Sequence, residues 1–331
     1  MTDGELEMAR ESSLEVSLVA TLLNEAGSLE AWWESILAQT RLPDELVVVD
    51  GGSRDGTAEM MKELSSSAPF TVKFEVMEGC GIGAGRNLAI EKASYPVIAV
   101  TDGGCVLHPE WLERLLRPME EDPEVVLSAG FYRPLAEGFL QEVVACATIP
   151  LPEEIDESRF MPSSRSIAFR REVWEEVGGY PEWLETGEDM YFNFRWREAG
   201  VKYAVARDAL VYWPMRDSLA SLFRQYYRYA RGDGEAGMYP RRHLLRFTAY
   251  GCLSLALLRR RKGEVLILTG IGCGYAFRFW KRVGTYVSGG PFRRAMAYGA
   301  VPAMLFFIDL AKMAGYLDGL RRRSRVEGKG R

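Results

Sequence analysis

The chain has 331 residues, of which 47% are hydrophobic and 26% charged, so it can bury a sizeable core. Its five cysteines and two histidines show no paired metal spacing, which argues against a zinc site or a disulfide framework and fits a reducing compartment. The acidic, polar N-terminus differs from a signal peptide. The net charge of −5 is unevenly divided, because residues 241–331 carry 19 basic and 4 acidic side chains whereas the remainder carries 22 and 42.

The first 130 residues alternate hydrophobic strand patterns with helical patterns. Strands are predicted over 15–23, 45–50, 70–77, 95–102 and 124–130, with helices over 28–39, from about 57, over 81–93 and from 109. This order predicts an α/β fold with a mainly parallel, doubly wound sheet. Ligands bind such sheets at the carboxyl ends of the strands, and Asn24, Asp50 and Asp102 fall at such ends.

A glycine-rich segment, "GCGIGAG" at 79–85, has a spacing close to the G-x-G-x-x-G pattern of dinucleotide-binding proteins. It follows the third predicted strand rather than the first. No acidic residue ends a strand at the distance that ribose binding requires in such proteins. These two departures argue against a Rossmann NAD site.

Beyond residue 240 the chain is both basic and apolar, which favours a membrane surface over nucleic acid as its partner. Hydrophobic stretches cover 244–258, 264–280 and 295–317. The first two, at roughly 24 Å of helix, are shorter than a bilayer core of about 30 Å. They predict helices in the interface, or a shallow hairpin, on a cytoplasmic leaflet of anionic lipids. The third is long enough to span, although Asp309 and Lys312 interrupt it; a soluble helical subdomain is the alternative.

Over residues 16–232 the chain resembles the family 2 glycosyltransferases, which have the GT-A nucleotide-sugar fold. The resemblance is carried by the opening 16–60, "GIGAGRNLAI" (81–90), "VTDGGC" (100–105) in the place of the D-x-D motif, "TGED" (186–189), and "RQYYRYARG" (224–232) in the place of Q-x-x-R-W. The likeness is to exopolysaccharide-type members with a hydrophobic C-terminal region. It implies a polar tail over 1–14, a transferase domain over 15–240 and an all-α, membrane-associated region over 241–331.

The resemblance assigns catalysis to the two acids of "TGED". Glu188 and Asp189 begin a predicted helix, and the family's base is the second acid. Asp189 is therefore expected to deprotonate the acceptor hydroxyl. The alternative is that both acids only interact favourably with the helix dipole. One base and no second nucleophile imply a single displacement that inverts the sugar configuration.

The remaining site residues implied by the resemblance bind donor or acceptor. The donor group comprises Asn24, Glu25, Asp50, Arg86, Asp102 and Arg228. The acceptor group comprises Gln225, Tyr229, Ser164 and Arg165, with Ser163 as a further candidate. Asp102 is also the expected anchor of a weakly held Mg²⁺ or Mn²⁺. Gly104 stands in the place of the second D-x-D acid, and one carboxylate plus substrate phosphates can hold such a cation.

The sequence thus predicts an inverting glycosyltransferase at the cytoplasmic face of the cell membrane. It would move a sugar from a nucleotide donor to a lipid-linked or growing glycan acceptor, as in exopolysaccharide or cell-envelope synthesis, with no nucleic-acid partner. A polyprenyl-phosphate sugar synthase is an alternative, but its phosphate acceptor needs no base. A sugar nucleotidyltransferase would need a basic glycine-rich loop near the N-terminus. A non-catalytic membrane scaffold is supported only by the missing second acid.

Overall fold

The computed structural model of the chain describes residues 14–329, in which eight strands form one mixed sheet. The strands are β1 (Val16–Leu22), β2 (Glu45–Asp50), β3 (Thr71–Val76), β4 (Val97–Asp102), β5 (Val106–Leu107), β6 (Leu127–Leu135), β7 (Ile167–Arg170) and β8 (Tyr203–Pro214). Their order across the sheet is β3-β2-β1-β4-β7-β6-β8-β5. Strands β1 to β4 pair in parallel, whereas β7 is antiparallel to both β4 and β6, and β5 is antiparallel to β8.

Helices connect the strands and make up the chain beyond β8. They are α1 (Ala26–Leu37), α2 (Thr57–Ser65), α3 (Ile82–Lys92), α4 (Trp111–Glu121), α5 (Phe139–Thr148), α6 (Arg171–Val177), α7 (Glu188–Glu198), α8 (Leu219–Ala236), α9 (Pro240–Leu258), α10 (Lys262–Trp280), α11 (Val283–Tyr286) and α12 (Pro291–Lys329). Two short 3-10 turns, Pro152–Glu154 and Glu157–Arg159, precede β7.

The central parallel strands are buried on both faces, which is why they appear in the sequence as nearly continuous hydrophobic runs. Successive side chains of a strand point to opposite faces. Leu18 of β1 therefore packs with Trp32 of α1 in one core cluster, while Val19 packs with Ile90 of α3 in the other. The two clusters hold the sheet between layers of helices.

The register of the sheet brings the ends of three strands to one edge. Leu22 pairs with Asp50 across β1 and β2, and Thr21 pairs with Asp102 across β1 and β4. Loops that begin within a few residues of these pairs must leave the sheet side by side. The predicted position of Asn24, Asp50 and Asp102 at strand ends is thereby confirmed.

The α/β fold class and the helical C-terminal region predicted above are confirmed, with a difference in the second half of the sheet. The strand predicted over 124–130 is β6, which begins at Leu127 and runs antiparallel to β7. Neither β7 nor β8 was predicted. Strand β7 has only four residues, and β8 mixes exposed charged residues with buried ones, so neither has a clear period of two.

The chain divides into two compact units. The first comprises the residues up to Arg133 together with Ile155–Pro214, and the second comprises Pro134–Glu154 together with the residues from Met215 onward. Helix α8 therefore groups with the C-terminal helices. The functional boundary expected at residue 240 stays a prediction.

Helices α8 and α12 of the second unit pack at very close range through glycines. A Cβ atom at Gly315 would lie 2.1 Å from the carbonyl oxygen of Tyr227, and one at Gly319 would lie 2.1 Å from that of Arg231. Within the described residues, the part of α12 from Pro291 to Arg323 is the one helix long and apolar enough to cross a membrane.

Candidate active site

A buried arginine of the first unit joins two carboxylates from distant parts of the sequence. Arg86 on α3 donates from Nη1 to Oε1 of Glu188 and from Nη2 to Oδ1 of Asp102, at 2.6 Å each. Its side chain is 2% exposed. The pairing with Asp102 joins two residues of the predicted donor group, and the pairing with Glu188 joins Arg86 to the predicted catalytic acids. One guanidinium fork thus connects the end of β4 to the start of α7.

Asp102 has a second cationic partner, Arg165, from the loop before β7. Nε of Arg165 lies 3.6 Å from Oδ2 of Asp102, and its guanidinium stacks over the ring of Trp213 at 4.0 Å. Burial opposes ionisation of Asp102, but Arg86 and Arg165 outweigh it and hold the pKa of the Asp102 carboxyl below its usual range. Asp102 is therefore a carboxylate at neutral pH, beside two arginines that a phosphate group can also bind.

The two acids of "TGED" open α7 but occupy different environments. Gly187 precedes them in a left-handed conformation (φ 86°), which favours glycine. Glu188 is buried, whereas Asp189 is partly exposed and accepts a hydrogen bond from Ser163 Oγ at 3.3 Å. Burial and the neighbouring Asp189 carboxylate raise the pKa of Glu188 to about 7, against the attraction of Arg86. Of the two acids, Asp189 is the more accessible to solvent.

The residues after β1 and β2 are linked to one another in a single network. Both oxygens of the buried Asp50 side chain accept hydrogen bonds from the turn that follows it: Oδ1 from the backbone N–H groups of Gly52 and Ser53, and Oδ2 from Ser53 Oγ. Ser53 Oγ also accepts from the backbone N–H of Asn24, whose side-chain oxygen accepts from the N–H of Arg54. Asp50 and Asn24 therefore shape this turn together.

Two residues that sequence reasoning did not single out support the arginine. Tyr180 is buried, with its ring below the Arg86 guanidinium at 5.4 Å and its hydroxyl 2.9 Å from Ser164 Oγ. Asn87 donates to the backbone oxygen of Tyr180 and accepts from its N–H. Asn87 directly follows Arg86 in the "GRN" segment, which was the available signal. Tyr180 had none, because its partners are distant in sequence.

The edge formed by β1 and β4 is the part of the first unit that could hold a divalent cation. Asp102 supplies one carboxylate, and a Cβ atom at Gly104 would lie 3.2 Å from Oε2 of Glu25. Two carboxylates therefore line the turn after β4, and such hard oxygen donors suit Mg²⁺ or Mn²⁺. Across the described part of the chain, no group of three or more His, Cys, Asp or Glu residues forms a metal-binding cluster.

The predicted acceptor residues of the second unit lie on α8. Gln225 is buried, donates from Nε2 to the hydroxyl of Tyr229 at 2.9 Å, and accepts from Nε of Arg216 at 3.2 Å. Tyr229 is 37% exposed. Arg228 lies on the same helix, one turn after Arg224. The structure thus brings Gln225 and Tyr229 together, while Ser163, Ser164 and Arg165 belong to the first unit.

Comparisons with known proteins agree with this architecture. Residues 17–178 match Glycosyl transferase family 2. Glycosyltransferase AglE of Haloferax volcanii is 27% identical over 238 residues, or 71% of this chain and 78% of that one. The succinoglycan biosynthesis protein ExoA of Rhizobium meliloti is 27% identical over 250 residues (68% and 70%), and the O-antigen chain rhamnosyltransferase RfbN of Salmonella typhimurium is 27% identical over 215 residues (60% and 66%).

Two solved structures share the fold. The mannosyltransferase PcManGT from Pyrobaculum calidifontis, in complex with GDP-Man and Mn²⁺, superposes with a TM-score of 0.56 at 16% identity and covers 92% of this chain and 87% of its own. S. aureus TarS 1–349, in complex with UDP, superposes with a TM-score of 0.50 at 17% identity and covers 95% and 92%. At this level of identity the likeness concerns the fold.

Proposed function

The chain belongs to glycosyl transferase family 2, and from that premise we propose that it is an inverting transferase that uses a nucleoside-diphosphate sugar and acts at the cytoplasmic face of a membrane. The acceptor would be a lipid-linked or growing glycan. Relatives named for O-antigen and succinoglycan synthesis support this substrate class.

The observation that carries the proposal is the series of neighbouring residues and ion pairs that connects Asp189, Glu188, Arg86 and Asp102. A partly exposed carboxylate opens α7, its buried neighbour is held by Arg86, and Arg86 also holds the acid that ends β4. A base for an acceptor hydroxyl is thereby tied to the edge where open α/β sheets bind their ligands. Sugar transfer from a diphosphate requires this pairing of a base with an electropositive leaving-group site.

In the proposed reaction, Asp189 accepts the proton of the acceptor hydroxyl as its oxygen attacks the anomeric carbon. The bond from that carbon to the diphosphate oxygen breaks, and a single displacement inverts the configuration. Arg86 and Arg165 stabilise the negative charge of the released nucleoside diphosphate. A donor-binding role for Arg228 of the second unit stays a prediction from the family resemblance. Asp102 would hold Mg²⁺ or Mn²⁺, which would supply further positive charge at the diphosphate.

The other residues bind the two substrates. The turn shaped by Asp50 and Asn24 receives the nucleoside. Ser164 and Arg165 of the first unit contact the acceptor. Acceptor roles for Gln225 and Tyr229 of the second unit stay predictions from the family resemblance. Because Arg165 is stacked on Trp213 and lies beside Asp102, it is placed to contact the donor diphosphate as well.

The exposed apolar surface of the second unit supports the proposed membrane association. Eight large apolar side chains of this unit are each more than half exposed: Leu244, Leu245, Leu258, Leu266, Ile267, Ile271, Phe277 and Phe292. Three arginines, residues 259–261, occupy the turn between α9 and α10, and Lys262 begins α10. A large apolar surface bordered by basic side chains suits the interface of a bilayer with anionic lipids. The apolar length of α12 gives weak additional support.

The proposal is tested by replacing the base in the full chain purified in detergent. Isothermal titration calorimetry with UDP-, GDP- and dTDP-sugars first identifies the donor. Asp189→Asn should then lower transfer by about 10²–10⁴-fold, the usual contribution of a general base, while binding of that donor persists. Glu198→Gln, which removes an exposed acid at the other end of α7, is the matched control and should transfer normally. Near-wild-type turnover of Asp189→Asn would contradict the assignment.

A further inference from the structure

Gly104 faces a carboxylate that comes from another strand end. A Cβ atom at position 104 would lie 3.2 Å from Oε2 of Glu25 and 3.6 Å from both Oε1 and Cδ. The Glu25 carboxylate therefore lies where an acidic side chain at position 104 would begin. The sheet explains this placement, because Thr21 of β1 pairs with Asp102 of β4 and the loops that follow leave the sheet together.

The Glu25 side chain is held in this place by its local structure. Its carbonyl accepts the N–H groups of Ser28 and Leu29 at the start of α1, and its own N–H donates to Thr57 Oγ1 at 2.9 Å. Ser28 Oγ donates to Oε2 of Glu25 at 2.6 Å. These contacts fix both the backbone and the carboxylate beside the turn after β4. A carboxylate held in this way loses little freedom when it binds a ligand.

Resting on the sugar transfer proposed above, we propose that Glu25 supplies the second carboxylate of the donor cation site, in place of the acid that a D-x-D sequence carries at position 104. The site consists of Asp102 from β4 and Glu25 from the loop after β1. Position 104 is then glycine for a physical reason. An aspartate there would bring a second negative charge against Glu25, and like charges at such range disfavour each other's ionised forms.

The arginines beside Asp102 fit the same arrangement. Asp102 contacts both Arg86 and Arg165. A donor diphosphate offers these guanidinium groups other oxygens and brings oxygen ligands for a divalent cation. Asp102 then supplies one protein carboxylate to the cation and Glu25 supplies a second, beside the oxygens of the diphosphate.

The test measures how much Mn²⁺ strengthens nucleotide binding, using the full chain, isothermal titration calorimetry, and UDP and GDP as probes. Affinity with Mn²⁺ is divided by affinity in EDTA for each variant. The ratio in the wild type should exceed one, and Glu25→Gln should lower the metal-dependent gain about tenfold or more, since even outer ligand contacts contribute 10–100-fold to metal affinity. Glu30→Gln removes an exposed acid of α1, the helix that follows Glu25. It is the matched control and should keep the wild-type ratio.

The double variant Glu25→Gln/Gly104→Asp moves the acid from one position to the other. It should recover most of the Mn²⁺-dependent increase in affinity that Glu25→Gln loses. That recovery also separates loss of a ligand from local misfolding. A Glu25→Gln ratio equal to the wild-type ratio would overturn the inference, as would a double variant no better than Glu25→Gln. Nucleotide binding that is equally strong with Mn²⁺ and EDTA in the wild type would overturn it too, yet leave the transferase proposal standing. Absence of binding to every nucleotide sugar would instead count against the proposed function.

Discussion

Replacing Arg86 by methionine removes the cation that Glu188 and Asp102 share. Methionine keeps an unbranched apolar stem in the buried site, so the main change is the loss of charge and hydrogen bonds. Breaking a buried ion pair by removing one partner typically destabilises a protein by 3–5 kcal/mol. We expect a loss of about this size at pH 8.

The structure indicates which carboxylate accounts for the loss. The Asp102 side chain is 26% exposed and retains Arg165, whereas that of Glu188 is 7% exposed. Glu188 is therefore left as an uncompensated buried charge. Protonation relieves this charge, so the loss in Arg86→Met should become smaller at pH 5. The double variant Arg86→Met/Glu188→Gln, which lacks the charge altogether, should be more stable than Arg86→Met at pH 8.

The assay is thermal unfolding of the full chain in detergent, followed by tryptophan fluorescence at a fixed scan rate. At about 2–4 °C per kcal/mol for a unit of this size, a loss of about 3–5 kcal/mol lowers the midpoint by about 6–20 °C. Arg117→Met is the matched control. Arg117 is 46% exposed and lies 3.6 Å from Asp208, and such surface pairs contribute about 0–1 kcal/mol. Equal losses in the Arg86 and Arg117 variants, or no dependence on pH, would refute the reasoning.

Two further predictions concern Glu188 and the helix pair of the second unit. The pKa of Glu188 is raised in the folded state from 4.5 to about 7, so its contribution to stability is full below pH 4.5 and is lost as pH rises through 7. At 1.36 kcal/mol per pKa unit this contribution is about 3 kcal/mol. The wild type should therefore lose more stability between pH 5 and 8 than Glu188→Gln, and parallel pH profiles of the two proteins would contradict the shift. Gly315→Ala should lower the midpoint of thermal unfolding, because its Cβ would meet the Tyr227 carbonyl oxygen and overpacking costs about 1–3 kcal/mol. Gly299→Ala, in open space on the same helix, is the control and should be neutral or stabilising. Equal effects of the two substitutions would show that α8 and α12 do not pack this closely.

The elements of the first half of the sheet could be predicted from the sequence because their signals are local. The hydrophobic runs of β1, β2 and β4 follow from burial on both faces, and the acids that follow them mark strand ends. Strand β8 was not predicted because its buried and exposed residues follow no regular period. The family motifs predicted Asp189, Arg86 and Asp102 as site residues.

What only the tertiary structure decided is which of these groups meet. Arg86 and Glu188 are 102 residues apart in sequence, and no local pattern predicts that one guanidinium holds both Glu188 and Asp102. The placement of Glu25 against Gly104 depends in the same way on the parallel register of β1 and β4. Local periodicity determines the element that each residue joins, whereas the distance between two charges depends on the order and register of strands far apart in the chain.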